Sequence, residues 1–315
     1  MLRVSPIVAF VIILVSPALG ADTGRLDHSL FDSVLKDNVR DGQVDYLMIR
    51  KNNWGELNQY LDKLSQVHPR SVDPRDKLPL YINLYNATVI HTVIERLRDG
   101  HSPFTDSPKV FEEPLVRCAD QTLTLNKLKD DVIGRIFKDP RIRATLVSAS
   151  RCSPPLRTRA YRGDDIIETL DASMRNFLSK PALNQIDKEH KTLRLSRIFD
   201  RYADDFGGKA QLSDYVDGFL KEDVAGFNVE FVECSEGLNI IHPRSGRWVK
   251  VVVDKTGVMS GPVQGNKTAS AQHGEIFEVL GEKGDWLHID RPFIDAHGWI
   301  KSSDTAPLSL PKSKR

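Results

Sequence analysis

The hydrophobic pattern changes character near Gly246, and that change divides the chain in two. Beyond it, five short β-like runs follow one another at 248–253, 257–261, 275–280, 286–289 and 299–302. Turn residues such as Glu282-Lys283-Gly284-Asp285 separate them. Short strands at that spacing predict a small all-β barrel. Before the change, amphipathic stretches alternate with single extended runs. The expected fold class is therefore an α+β N-terminal domain followed by a small all-β barrel. Gly237, Pro243 and Gly246 cluster in 236–247, where the join is expected. A chain of 315 residues has room for about two domains. The boundaries expected are 28–235 for the first, 247–304 for the second and 305–315 for a polar, flexible tail.

Within the first part, Leu30, Phe31, Val34 and Leu35 share one helical face. Trp54, Leu57, Leu61 and Leu64 recur at spacings of three and four. Asp41-Gly42-Gln43-Val44-Asp45-Tyr46 between them reads as a turn and an extended piece. Residues 77–97 predict another helix, with Pro79 tolerated in its first turn. Pro103 and Pro108 punctuate the loop after it. Residues 123–137 predict a helix entered through Thr124 and Asn126 and stopped at Asp139-Pro140. The apolar run 142–149 fits a buried strand. A helix at 166–178 follows, with Ile166, Leu170, Met174 and Phe177 on one side. Strands are expected at 191–195 and 228–233, and short helices at 196–202 and 212–220.

The first twenty residues carry an address. Arg3 precedes the apolar run 7–15, and Pro17-Ala18-Leu19-Gly20 precedes Ala21. A positive start, a short apolar core and small residues at a cleavage site describe a secretory signal. The run is too short for a bilayer, which needs about 20 residues. The expected product is a soluble exported protein, periplasmic or extracellular, that starts at Ala21 and has no membrane span. A chain 40% hydrophobic and 28% charged is ordinary for a folded protein. Its net charge of +1 supplies no basic face for nucleic acid.

The common nucleotide, hydrolase and metalloprotease motifs are absent. Two constellations remain. Asn83-Leu84-Tyr85-Asn86 lies inside the apolar helix 77–97. Asn is poor in a helix interior, so tertiary contacts must reward Asn83 and Asn86. They either hold a ligand or tie down a buried loop, and the loop 150–155 is expected beside them. That loop, Ser150-Arg151-Cys152-Ser153-Pro154-Pro155, is the second constellation. A nucleophile past the end of a strand would be well placed, with Cys152 first and Ser153 next. Arg151 and Arg157 would favour a thiolate or bind an anion. Of nine histidines, only His91 is placed to be tested as a base. Cys118, Cys152 and Cys234 are an odd set, so one thiol at least is unpaired within a monomer. His288, Asp290, Asp295 and His297 lack a familiar ligand spacing, so neither metal nor cofactor is expected.

From about Leu30 to Gly207 the chain resembles the bacterial domain-of-unknown-function family 547. The points of likeness are Gly42-Gln43-Val44-Asp45-Tyr46, Leu80-Tyr81-Ile82-Asn83-Leu84-Tyr85-Asn86-Ala87, Thr124-Leu125-Asn126, Asp139-Pro140-Arg141-Ile142 and the loop 150–156 with Ala160-Tyr161. The resemblance implies an α+β domain and no settled reaction. It also implies departures. Arg143 stands where members carry His, Ser153 where they carry Cys, and Lys129-Asp130 where many carry Glu-His. The departures turn the expectation from catalysis to binding or scaffolding, with Asn83, Tyr85, Asn86, Arg143, Arg151 and Arg157 as binding or loop-positioning residues.

From about Arg247 to Asp304 the chain is similar to a bacterial SH3-like domain. Gly257-Val258-Met259-Ser260-Gly261-Pro262, Gly284-Asp285-Trp286-Leu287-His288-Ile289 and Gly298-Trp299-Ile300-Lys301-Ser302-Ser303 carry that likeness. It implies a module that contacts peptidoglycan or a peptide or protein partner, with Trp286 and Trp299 lining a groove. The reading is an exported envelope protein tethered by that module. Its competitor is a thiol-dependent enzyme acting on cell wall or peptide through Cys152.

Overall fold

One almost wholly buried helix organises the N-terminal part. The structure, a computed structural model, describes residues 25–96, 108–119, 121–234, 238–241, 247–291 and 296–308. The expected leader at 1–20, the loop carrying Pro103 and the tail at 309–315 lie outside the described residues.

Helix α1 (Ser29–Asn38) leads into a hairpin of β1 (Val39–Arg40) and β2 (Gln43–Val44). A π-helical turn, Ile49–Asn53, runs into α2 (Trp54–Ser65). Asp73 then caps a short turn, accepting from the Arg75 amide at 2.9 Å, and α3 (Lys77–Arg96) follows. Between Pro79 and Ile94 only His91 is not buried. A helix that is apolar all round must be enclosed. Helix α2 and the π-helix Lys127–Gly134 pack on α3, and α1 packs on α2. The hairpin of β3 (Val116–Cys118) and β4 (Gln121–Leu123) precedes that π-helix, and Thr124 Oγ1 accepts from the Lys127 amide at 3.0 Å at its entry.

The run 142–149 is buried but is not the expected strand. Pro140–Ala144 forms a 3₁₀ turn, and the chain then passes without regular secondary structure beside α3. Asn86 of α3 takes the Thr145 carbonyl and the Val147 amide, and main-chain pairing begins only at Ala149, whose carbonyl accepts from Asn239. An apolar run signals burial, and its periodicity does not tell which partner satisfies the main chain.

Helix α4 (Ile166–Leu178) crosses to a second core. Antiparallel β5 (Gln185–Asp187) and β6 (Thr192–Ser196) join β7 (Asn228–Val232), which lies parallel to β6. The short helices α5 (Arg197–Arg201) and α6 (Leu212–Asp217) complete it. Phe177 stacks on Phe199 at 5.6 Å, and Phe199 meets Phe206 at 5.0 Å. Residues 238–241 return to the first core: the Val44 amide donates to Asn239 O at 2.9 Å, the Asn239 amide to Ala149 O at 3.1 Å, and Tyr46 Oη to Asn239 Oδ1 at 2.6 Å. They belong to the N-terminal unit although they fall in the stretch expected to join the two parts.

The C-terminal part is a seven-stranded antiparallel sheet in the order β10-β9-β13-β12-β11-β8-β14. Its strands are β8 (Arg247–Val251), β9 (Lys255–Met259), β10 (Lys267–Gln272), β11 (Ile276–Lys283), β12 (Trp286–Arg291), β13 (Ala296–Lys301) and β14 (Thr305–Pro307). Five of these coincide with the expected runs; β10 and β14 do not. Strand β14 lies in the stretch read as tail and pairs with β8. Val251, Val258, Ala271, Phe277, Ile289 and Ile300 form its core. No described helix is long and apolar enough to cross a membrane.

Candidate functional site

The loop 150–155 is held by its own side chains. Pro154 and Pro155 remove two amide donors. Ser153, buried, accepts from the amides of Ser148 at 3.0 Å and Ser150 at 3.3 Å, and shares a 2.6 Å hydrogen bond with the Ser148 hydroxyl. Ser150 Oγ accepts from the Cys152 amide at 3.1 Å. Pro155 rests directly on Gly42, whose φ is +83°. A side chain at Gly42 would be strained in conformation and would overlap the proline ring. The likeness in 42–46 and 150–156 therefore describes one contact between two segments.

Cys152 is bonded to Cys234 across 82 residues of sequence, with Cα atoms 5.7 Å apart. In that state it has no thiolate, and the thiolate is the nucleophilic form. Cys118 is the remaining thiol; it is buried, and burial pushes its pKa up. His91 is engaged elsewhere: its ring stacks on Trp54 at 4.7 Å, and Nε2 donates to Asn58 Oδ1 at 3.0 Å. Its loss of solvent lowers its pKa. Its partners among the described residues, Asn58, Glu95 and Trp54, include neither Cys152 nor Ser153.

Asn83 and Asn86 each grip a backbone with both ends of the amide. Asn83 donates to Tyr161 O and accepts from the Tyr161 amide, both at 2.9 Å. Asn86 donates to Thr145 O at 2.9 Å and accepts from the Val147 amide at 3.0 Å. They hold the segments on either side of the loop, not 150–155 itself as expected. The loop is fixed at its two roots, and its interior by Ser153. Arg151 is exposed and donates through Nε to Leu238 O at 3.3 Å. Arg157 lies 4.8 Å over the Tyr161 ring, and its Nη1 is buried with no hydrogen-bond partner.

Between the two N-terminal cores lies a cleft of about 430 Å³. Tyr85 and Leu146 reach it from the first core, Ile198, Tyr202 and Val232 from the second, and the Cys152–Cys234 bond from its wall. Arg143 also lines it and is held by two carboxylates: Nε donates to Asp205 at 2.6 Å, Nη1 to Asp130 at 3.3 Å, and the guanidinium lies 3.8 Å over the Tyr202 ring. Gly134 makes room, since a Cβ there would sit 2.8 Å from Arg143 Nη2. A guanidinium keeps its proton, so Arg143 does not act as a base. Lys129 Nζ lies 3.2 Å from Asn126 Oδ1 and about equally far from the Phe111 and Tyr202 rings, at 5.9 and 6.0 Å. The site thus gathers Tyr85, Arg143 and Cys152 from the sequence-based set. Asn83, Asn86 and Ser153 are engaged with the backbone of 145–161. Trp286 and Trp299 belong to the C-terminal sheet.

Arg197, Arg201 and Tyr202 were not foreseen. Arg197 and Arg201 are four apart on α5, a spacing that puts both on one helix face. That spacing was the available signal.

Residues 69–178, about a third of the chain, match the model of a family described as Protein of unknown function, DUF547. The match takes in α3, the loop 150–155 and α4; Arg197, Arg201, Tyr202 and Cys234 lie beyond it. No curated protein and no solved structure matches the chain.

Proposed function

We propose that the chain is an exported binding protein: its N-terminal unit takes a ligand in the cleft, and its C-terminal unit is an SH3-like module that contacts cell wall or a peptide partner. The carrying observation is chemical. The residue best placed to be a nucleophile, Cys152, is engaged in a disulfide, and its neighbour Ser153 holds the loop. An unactivated hydroxyl without a base is a poor nucleophile. A disulfide also fits an oxidising compartment, where the reading of residues 1–20 sends the chain. The sheet around Val251, Phe277 and Ile300 has the strand number and length that a small barrel would use. Trp286 and Trp299, on the face opposite Leu287 and Ile300, are half-buried; Trp299 stacks on His288 at 4.8 Å, and Lys301 Nζ lies 5.9 Å from the Trp286 ring.

Co-sedimentation of the full chain with purified peptidoglycan sacculi tests the module. Retention is expected, reduced in Trp286→Ala and Trp299→Ala. Thiol titration of native, non-reduced protein is expected to find no reactive Cys152. Selective labelling of Cys152, with turnover of a peptide or cell-wall substrate lost in Cys152→Ser, would replace this reading with that of a thiol enzyme.

A further inference from the structure

We infer that the cleft between the two N-terminal cores is a receptor for an oxyanion, a carboxylate or phosphate group on its ligand. This rests on reading the cleft as the binding site and adds what it binds. The polar groups lining the cleft divide into those the fold uses and those it does not. Arg143 and Arg197 are used: the first by Asp130 and Asp205, the second by Glu233 and Asp200. What the fold leaves over, apart from the exposed carboxylate of Glu112, is of one kind.

Tyr85 is 1% exposed and lines the cleft, yet among the described residues its hydroxyl has no hydrogen-bond partner. Burial raises its pKa, so it remains a donor. Ser150 and Ser196 each accept from an amide, of Cys152 and Ile198, which leaves their O–H protons undonated. The carboxamide oxygen of Asn126 is taken by Lys129, because an ammonium can only donate; its NH₂ is left. Arg201 is exposed and lines the cleft, with no ion pair or hydrogen bond among the described residues. Three hydroxyl protons, an amide NH₂ and a guanidinium are all donors. A group that satisfies them together must accept several hydrogen bonds, and charge-assisted bonds to an oxyanion are the strong ones.

The carboxylates nearby do not oppose this. Asp130, Asp205, Asp200 and Glu233 are each bonded to a cation. Glu112 lines the cleft with no ion pair among the described residues; like Arg201 it is exposed, so water screens both, and one carboxylate stands against five donor groups.

The test uses full-length, disulfide-intact protein and two probes, inorganic phosphate and citrate, titrated calorimetrically at low and constant ionic strength. Saturable binding of at least one is expected; phosphate alone assigns a phosphate ligand, citrate alone a carboxylate. Arg201→Gln should weaken binding about tenfold, the loss of a charge-assisted hydrogen bond. Tyr85→Phe should weaken it about fivefold without lowering the melting temperature, because the hydroxyl bonds nothing in the fold. Glu112→Gln should leave affinity unchanged or improve it. Absence of saturable binding by both probes, wild-type affinity in Arg201→Gln, or a large loss in Glu112→Gln would overturn the inference. Retention on sacculi and the thiol count do not depend on Arg201 or Tyr85. If they hold while anion binding fails, only this inference falls.

Discussion

Two regions of the molecule hold their backbone in place by opposite means. In the C-terminal sheet main chain bonds to main chain: β12 pairs with β13 from Trp286↔Lys301 to Arg291↔Ala296 and with β11 on its other side. Beside α3 the irregular segment 145–147 has no strand neighbour among the described residues, and the side chain of Asn86 supplies the donor and the acceptor. A ladder depends little on which side chains its strands carry. A side-chain tie depends on one residue. The difference teaches where function can sit: the tied segment is free to be irregular, and it forms a wall of the cleft. Binding residues concentrate on irregular chain positioned by a rigid scaffold.

The sharpest way to break the comparison is to cut the covalent tie. Cys152–Cys234 closes a loop of 82 residues within the helical unit, and the C-terminal sheet contains no cysteine. On the chain-entropy account, its loss costs about 4.5 kcal/mol. Cys152→Ala combined with Cys234→Ala should lower the urea midpoint of the N-terminal unit, while amide-exchange protection in 247–291 is retained. Equal loss of protection in both regions would mean that they unfold as one.

Next in size is Asn86→Ala. It strands the Val147 amide and the Thr145 carbonyl in a buried place, and together these should cost about 3 kcal/mol. The matching change in the sheet, Ile289→Val, removes one methylene from a fully buried site and should cost about 1 kcal/mol. Chemical denaturation of the two variants compares them directly. An Asn86→Ala cost no larger than that of Ile289→Val would mean that the tie is dispensable.

What was legible in the sequence follows the same line. Helix α4 runs over the expected 166–178, and α3 begins at the expected Lys77, because a 3.6-residue period and a proline boundary both report on the helix itself. The two asparagines in an apolar helix announced a tie, since an amide in such a place must be satisfied. Strand β10, Lys-Thr-Ala-Ser-Ala-Gln, was missed because it has no large apolar residue to show its alternation; only Ala271 is fully buried. The strand expected at 142–149 was a true burial signal with the wrong partner attached. Half of the cleft was out of reach: Arg201, Tyr202 and Cys234 come from about 50 to 80 residues beyond the loop, and one pairing among three cysteines cannot be chosen from spacing.

A third contrast lies in how the helical core responds to acid. His28 is 1% exposed; its Nδ1 lies 2.7 Å from Tyr60 Oη and 3.4 Å from the donating Nδ2 of Asn83. Nδ1 is therefore the accepting nitrogen, and Nε2, buried with no partner, carries the proton. A second proton would charge a desolvated ring and disrupt both contacts. Burial, with the nearby Arg162 adding to it, accordingly lowers the pKa from 6.5 to about 4. The sign follows. The unfolded chain takes up this proton near pH 6.5 and the folded chain only near 4, so the contribution is complete above 6.5 and lost as pH falls toward 4. Between pH 7.5 and 4.5 the loss is about 2.5 kcal/mol. Urea unfolding across that range should show it, and His28→Phe should flatten it. An unchanged slope in His28→Phe would remove His28 from the account.

The smallest effect is expected where the two regions meet. Lys51 Nζ, in the turn before α2, lies 3.3 Å from Glu278 Oε2 on β11. Lys51 is half exposed, and Glu278 lies on the face of the sheet opposite the core residues Phe277 and Val279. Ion pairs in such surroundings contribute about 0–1 kcal/mol, because water and salt screen them and two long side chains must be ordered. Glu278→Gln should shift the stability of either region by less than about 0.5 kcal/mol, and 0.5 M salt should erase even that. A larger, salt-resistant loss shared by both regions would mean that the ladder-built sheet leans on the side-chain-tied unit. The independence on which the comparison depends would then have to be given up.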